Sequence, residues 1–345
     1  MTRRRATDSY DEDDVRIRPG GRNRPRSKTR PSHSDAADAV VVTVDRGRFR
    51  CEVIAPAGTE TAVGSEPTAT LAVSAMRARD LGRTRIVVGD RVKLSGDASG
   101  REGSLARIVA VAERTSVLMR SADDATTAER PFVANADQLG IVLAAADPTP
   151  RQGFVDRCLV AAYDARIDPL LIVTKTDLAD PADFLASYSA LEVPAALLRP
   201  GLAEASLEPQ LRDRTTVLVG HSGVGKSTLV NALVPDADRA IGHVNEVTGR
   251  GRHTSTSAIM LDLPAGGRIV DTPGVRSFGL AHVEPDTVVG AFADLAGGID
   301  ECPRGCSHDE ADCGLDAWCT AGHAPVERLE SLRRILRSRA EAPDY

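Results

Sequence analysis

The chain is 345 residues long, 42% hydrophobic and 3% aromatic, with a formal net charge of −6. That length holds two or three domains with real cores, and the acidic balance excludes a globally basic nucleic-acid binder, so any RNA affinity must come from local patches. No stretch approaches the roughly 18 consecutive apolar residues of a membrane span, and the Arg-rich start lacks the apolar segment of a secretory leader, so a cytoplasmic location is expected.

Residues 1–36 mix Arg, Asp, Pro, Gly and Ser around one aromatic, Tyr10. They carry too little apolar surface to offset the entropy of ordering and read as a disordered charged tail. An acidic patch, Asp11–Asp14, precedes a basic stretch from Arg16 to Arg30; a solvated tail and an arm that orders on a polyanion both fit. From 37 to 122 the pattern changes to short β-like runs: Ala39–Val44, Phe49–Ile54, Ala69–Val73, Arg91–Leu94 and Ala106–Val111, separated by Gly, Asp and Ser turns. Five such runs predict a small Greek-key barrel of OB type. No clear set of exposed aromatics is present for base stacking, which favours phosphate contact or protein docking over sequence reading.

From 123 to 282 the pattern is α/β. Leu139–Ala145, Pro169–Val173, Thr216–Val219 and Arg268–Val270 are continuous apolar runs, as buried parallel strands require, and Val155–Ala162 has the spacing of a helix packed on the sheet. This predicts a doubly wound sheet with ligand loops at the strand ends. Gly220-His221-Ser222-Gly223-Val224-Gly225-Lys226-Ser227-Thr228 satisfies G-x-x-x-x-G-K-[ST] between a strand and a helical start. Its backbone N–H groups would cradle phosphates at the helix N-terminus, Lys226 would reach the β- and γ-phosphates, and Ser227 would give a hydroxyl to Mg²⁺.

That loop alone does not separate ATP from GTP. Thr174-Lys175-Thr176-Asp177 follows an apolar strand, and a carboxylate at Asp177 accepts from the N1–H and N2–H₂ of guanine together, a donor pair adenine lacks. Lys175 would lay its aliphatic stem along the purine. Downstream, Asp271-Thr-Pro-Gly274 supplies a carboxylate that holds Mg²⁺ through water and a Gly274 N–H for the γ-phosphate, which makes the following loop a switch. Between the two phosphate loops, Thr248–Thr256 occupies the place of a first switch, with Thr254 or Thr256 as the Mg²⁺ contact. The position that often carries a water-orienting Gln is Val275, so slow intrinsic turnover is expected and His253 becomes the candidate for positioning the water. The guanine-reading loop precedes the phosphate loop, the reverse of the usual order, so the elements are circularly permuted. The sheet then exits just after Gly274, sending the second switch towards the C-terminal region.

Residues 283–345 read as helical around a Cys/His cluster. Cys302, Cys306, His308 and Cys313 give three thiolates and one imidazole in twelve residues, a closed tetrahedral set for one structural zinc ion, with Cys319 as a substitute ligand or buried thiol. A final helix from Val326 to Arg339 places Leu329, Leu332, Ile335 and Leu336 on one face. Arg328, Arg333, Arg334, Arg337 and Arg339 on the other face fit either a solvated surface or a phosphate-binding ridge.

Together these motifs resemble the RsgA/YjeQ family of circularly permuted, ribosome-dependent GTPases that act in late maturation of the small ribosomal subunit. The residues that carry the resemblance are Val87–Val92, Ala134–Gln138, the T-K-T-D-L and G-H-S-G-V-G-K-S-T loops, G-R-G-R-H-T-S-T, D-T-P-G-V-R-S-F-G-L and the Cys/His cluster. The resemblance implies an OB-type β-barrel, a circularly permuted α/β P-loop GTPase domain and a C-terminal α-helical zinc-binding domain. It also implies GTP hydrolysis with magnesium stimulated by the small subunit, binding near the decoding region, and release on hydrolysis; a monomer with rRNA contacts and no membrane is expected. Three departures stand out. Thr174 replaces the usual Asn, Leu198-Arg-Pro-Gly-Leu202 occupies the place of a Ser-rich guanine-backing loop, and the C-x₃-C and H-x₄-C spacings are short. Two other readings are a permuted GTPase for large-subunit assembly and an RNA-binding assembly module that uses nucleotide as a structural ligand.

Overall fold

The computed structural model describes residues 36–54, 71–123, 126–199, 201, 203–235, 237, 258–272 and 278–339; the charged tail expected over 1–36 lies, but for its last residue, outside them. Strands β1 (Ala37–Asp45), β2 (Arg48–Val53), β3 (Ala72–Arg77), β4 (Arg91–Gly96) and β5 (Ala106–Val111) run in the order β1-β2-β3-β5-β4, and β4 returns to β1. The closed barrel removes sheet edges. Period-two alternation turns Ala39, Val41, Cys51, Val73, Ala75, Val92, Leu94, Ala106 and Ile108 inward. The third strand begins later than the apolar run Ala69–Val73 suggests, because the alternation that fits the barrel interior is Val73 and Ala75 inside with Ser74 and Met76 outside.

A hairpin, β6 (Val117–Asp123) and β7 (Thr126–Ala134), leads into the α/β region. There follow β8 (Gln138–Ala144), α1 (Gln152–Asp164), β9 (Asp168–Thr174), α2 (Ala182–Ala186), β10 (Ala195–Leu197), α3 (Ala203–Leu211), β11 (Thr215–Val219), α4 (Lys226–Leu233), β12 (Ile259–Asp262) and β13 (Arg268–Asp271). The sheet order is β10-β9-β8-β11-β13-β12, parallel except for β12. Every residue of β8 is buried, as a central parallel strand covered on both faces must be. Leu159 and Val155 of α1 pack on one face; Leu207 and Leu211 of α3 and Leu229 and Leu233 of α4 pack on the other. The hairpin, β10 and β12 have no clear sequence signal: β10 is three residues long, and β6–β7 is interrupted by charged residues and register shifts.

Barrel and α/β sheet are continuous. β1 meets β12 at Thr43↔Ile259, making one eleven-stranded sheet. The two segments Val87–Val92 and Ala134–Gln138 form the second join. Ala134 N–H donates to the Val88 carbonyl at 2.9 Å, and the Asn135 amide donates to the Gly89 carbonyl at 2.8 Å. Buried Asp90 turns the same corner, accepting from the Val87 N–H and from Arg114.

Past β13 the described chain resumes at Phe278, which docks on the hairpin rather than running straight to the C-terminal region. Its backbone bridges Arg120, its ring lies 6.0 Å from Phe132, and Arg157 of α1 donates to its carbonyl. The Ala281 N–H donates to Glu129, and His282 sits between Glu129 and Asp164. Short helices Pro285–Val289, Ala293–Ala296 and Gly314–Thr320 then precede the terminal helix Val326–Ser338. Leu329, Leu332, Ile335 and Leu336 are buried as its spacing predicts. Its arginines are mostly half-buried and all are paired, with Arg337 alone among the five remaining exposed. Arg328 pairs with Glu192, Arg333 with Asp316, Arg334 with Asp156, Arg337 with Asp309, and Arg339 donates to the Val283 carbonyl. A guanidinium presents five donors in a planar fork, which suits it to cross-linking several neighbouring elements at once.

Candidate nucleotide site and metal centre

In the parallel sheet, β8 leads to β9 on one side, while its other neighbour is β11. The chain therefore reverses its winding between β8 and β11, and ligands bind at such a switch point beyond the carboxyl ends of the strands. Three of the sequence-identified loops start there: Thr174–Asp177 after β9, Gly220–Thr228 after β11, and Asp271 at the end of β13. Gly223 and Gly225 adopt φ of 84° and 89°, the left-handed conformation that turns successive N–H groups into the loop, and α4 starts at Lys226. Leu218 pairs with Asp271 across the sheet, which brings the Asp271 carboxylate onto the Lys226 ammonium. Thr272 ties the same strand end to β11, just ahead of the phosphate loop, by donating its hydroxyl to the Leu218 carbonyl at 2.7 Å.

The His221 side chain leaves the phosphate side and packs on Phe154, with ring centroids 4.2 Å apart. Burial, and secondarily the Arg151 charge, hold its pKa below the ordinary histidine value. His253, Thr254, Thr256 and Gly274 lie outside the described residues.

Beside the guanine-type loop is a cavity of about 540 Å³ lined by Thr176, Asp177, Leu178, Leu197, Arg199 and Ser206 among others. Leu178 and Leu197 are 60% and 50% exposed, unusual for large apolar side chains, and offer apolar walls to a planar ring. The sequence places Leu198–Leu202, and so Arg199, where a guanine-backing loop belongs, but nothing local marks Leu197 or Ser206 as lining the same cavity. The chain reaches this position by pairing: the Leu198 N–H donates to the Val173 carbonyl at 2.7 Å, and the Leu198 carbonyl accepts from Thr176 at 2.9 Å.

The second site lies in the C-terminal region. The ligating atoms of Cys302, Cys306, His308 and Cys313 all fall within 4.8 Å of one another. Cys302 Sγ is 3.6 Å from His308 Nδ1 and 3.9 Å from Cys313 Sγ, and Cys313 Sγ is 3.8 Å from His308 Nδ1. A tetrahedral ion with bonds of about 2.3 Å to sulfur and about 2.0 Å to nitrogen places S···S at about 3.8 Å and S···N at about 3.5 Å, so Cys302, His308 and Cys313 already stand at metal-ligand separations, with Cys306 Sγ inside the same 4.8 Å cluster. The short spacings close because Gly305 and His308 both take left-handed φ, 74° and 65°, doubling the chain back on itself.

Neighbours fix the ligands. Asp286 bonds His308 Nε2 at 2.7 Å, leaving Nδ1 for the metal, the outer-shell arrangement that orients ligating histidines. Arg333 donates to the His308 carbonyl and forks onto Asp316. Burial raises the Cys302 and Cys306 thiols, Cys306 to about 12, so a cation bound here would have to displace their protons. Cys319 is buried nearby but outside the cluster.

The permuted strand order, the phosphate loop at the switch point and the carboxylate beside its lysine define a circularly permuted P-loop GTPase. A family model described as RsgA GTPase matches residues 111–281. The small ribosomal subunit biogenesis GTPase RsgA 1 of Vibrio vulnificus (strain YJ016) is 36% identical over 266 residues, 74% of this chain and 75% of its own length. The corresponding protein of Pseudomonas aeruginosa (strain LESB58), small ribosomal subunit biogenesis GTPase RsgA, is 38% identical over 270 residues, 75% of this chain and 77% of its own. The chain belongs to the RsgA family of GTPases. Two solved structures share the fold. YjeQ from Thermotoga maritima has a TM-score of 0.58 and 24% identity, covering 88% of this chain and 99% of that one. YloQ, a circularly permuted GTPase, has a TM-score of 0.59 and 21% identity, covering 92% and 100%.

Proposed function

We propose that the chain hydrolyses GTP to GDP and phosphate under stimulation by the small ribosomal subunit, in late maturation of that subunit. The observation that carries the nucleotide chemistry is the meeting of three segments far apart in sequence at one sheet end: Thr174 touches the phosphate loop at Val224, and Lys226 touches Asp271. The subunit assignment is supported by the relatives, whose names specify small ribosomal subunit biogenesis.

In this reading Gly220–Thr228 binds the phosphates, Lys226 moves from Asp271 to the β- and γ-phosphates, and Asp177 reads the base. Ser227 and Asp271 offer the hard oxygen donors magnesium takes, and the Lys226 ammonium resting on Asp271 supports reading that carboxylate as ionised and open to a cation. Magnesium bound with GTP would neutralise charge developing on the transferred phosphoryl group. Thr254 or Thr256 completes that set, Gly274 meets the γ-phosphate, and His253 positions the water in place of a side chain that Val275 lacks. Cys302, Cys306, His308 and Cys313 hold one structural zinc ion with no open position. The working division is a tail at 1–36, a barrel at 37–122, a GTPase domain at 123–282 and a zinc-binding region at 283–345. The protein acts as a cytoplasmic monomer on the small subunit and its rRNA.

The test is hydrolysis of GTP and of ATP, with and without purified small and large subunits, for the wild type, Lys226→Ala and His253→Ala. The expected result is GTP turnover raised many-fold by small subunits alone, lost in Lys226→Ala and reduced in His253→Ala. Equal rates with and without small subunits would sink the assignment, and stimulation by large subunits would move the protein to the other assembly line. Unchanged subunit release in Lys226→Ala would favour nucleotide as a structural ligand.

A further inference from the structure

The first three side chains of the base-reading loop are all committed to backbone carbonyls of other segments. Thr174, buried at the end of β9, donates its hydroxyl to the Val224 carbonyl of the phosphate loop at 2.6 Å, with the Leu143 carbonyl farther off at 3.3 Å. Lys175 Nζ reaches the Asp147 carbonyl, and Thr176 Oγ1 reaches the Leu198 carbonyl at 2.9 Å. Among the described residues, the Asp177 carboxylate has no partner and lines the cavity.

A threonine hydroxyl has a single proton to donate. With that proton held by Val224, position 174 has none for a purine. Guanine presents N7 and O6 as acceptors on its outer edge, whereas Asp177, an acceptor only, addresses the donors of the opposite edge. We infer that Thr174 is a positioning residue that tethers the base-reading loop to the phosphate loop, and that guanine N7 goes unread by this loop. Base selection then rests on Asp177, and the site takes guanine nucleotides whether or not position 7 can accept a hydrogen bond. The inference rests on the nucleotide reading above and specifies how that site discriminates.

The test measures dissociation constants of the full-length protein for GDP, 7-deaza-GDP, in which N7 is a C–H, and ADP, by calorimetry. Wild-type protein should bind GDP and 7-deaza-GDP within about twofold of each other, and ADP far more weakly. Thr174→Val should weaken both guanine nucleotides by the same factor, and Thr174→Ser should restore both. Thr174→Asn, whose amide has two protons, should create a preference for GDP over 7-deaza-GDP of roughly two- to tenfold. A wild-type preference of tenfold or more for GDP over 7-deaza-GDP would overturn the inference while leaving guanine recognition intact. Equal binding of GDP and ADP, or none of either, would overturn both. A Thr174→Ser variant as weak as Thr174→Val would show that the hydroxyl tether is not what position 174 provides.

Discussion

A methyl group at Gly89 would lie 1.9 Å from the Ala134 carbonyl oxygen, at a backbone φ of +88°. Two penalties coincide there, a left-handed conformation and a collision with backbone that cannot rotate away. Gly89→Ala is therefore expected to destabilise the protein by about 3 kcal/mol, read by urea unfolding. Gly47, also left-handed at φ +80° but facing open space, should cost about 1 kcal/mol when changed to Ala, and the difference between the two isolates the close approach. The V-G-D motif could be recognised as part of a resemblance, but its task is set by a contact 45 residues away that no local pattern encodes.

At the scale of elements, the terminal helix shows how much a partner matters. Its apolar stripe was readable because 3.6-residue periodicity fixes which side chains share a face. The partners of its arginines were not, since each lies on a segment distant in sequence. Arg334 reaches Asp156, whose side chain is 4% exposed, the Ser187 carbonyl and the face of Tyr188 at 4.8 Å. Arg337 and Asp309, at 58% and 38% exposed, make an ion pair in water. Removing one partner of a buried pair leaves an uncompensated charge, so Arg334→Ala should cost about 3 kcal/mol, whereas Arg337→Ala should cost less than about 1 kcal/mol. Chemical denaturation of the two variants checks the order, and equal effects would show that burial of Asp156 is not what gives Arg334 its weight.

At the scale of the whole molecule, the barrel meets the α/β sheet at narrow joins, β1 with β12 and Gly89 with Ala134. The C-terminal region instead shares one apolar core with α1 through the terminal helix, and residues 278–282 bond it to the hairpin and α1. The Cys/His cluster is tied to the last of the C-terminal helices, since Arg333 of that helix donates to the His308 carbonyl. Metal analysis of purified protein should give one zinc per chain, and Cys313→Ser should abolish it. Loss of the ion should lower the unfolding temperature and expose the C-terminal region to proteolysis before the sheet. Full zinc content in Cys313→Ser would remove that residue from the ligand set.

What the sequence determined by itself was whatever depends on short-range chemistry. The phosphate loop, the T-K-T-D and D-T-P-G loops, the Cys/His set and the alternation of the barrel strands are all written in runs of ten or so residues, with side-chain types that admit few other uses. What only the tertiary structure decided was partnership. The hydroxyl of Thr174 facing the phosphate loop, Leu197 and Arg199 beside the cavity at Asp177, Asp286 behind His308 and the hairpin beneath Phe278 all depend on which segments lie side by side. Circular permutation makes the reason plain. Chain order was altered while neighbours in the sheet were kept, so the site survives because it is assembled across strands rather than along them.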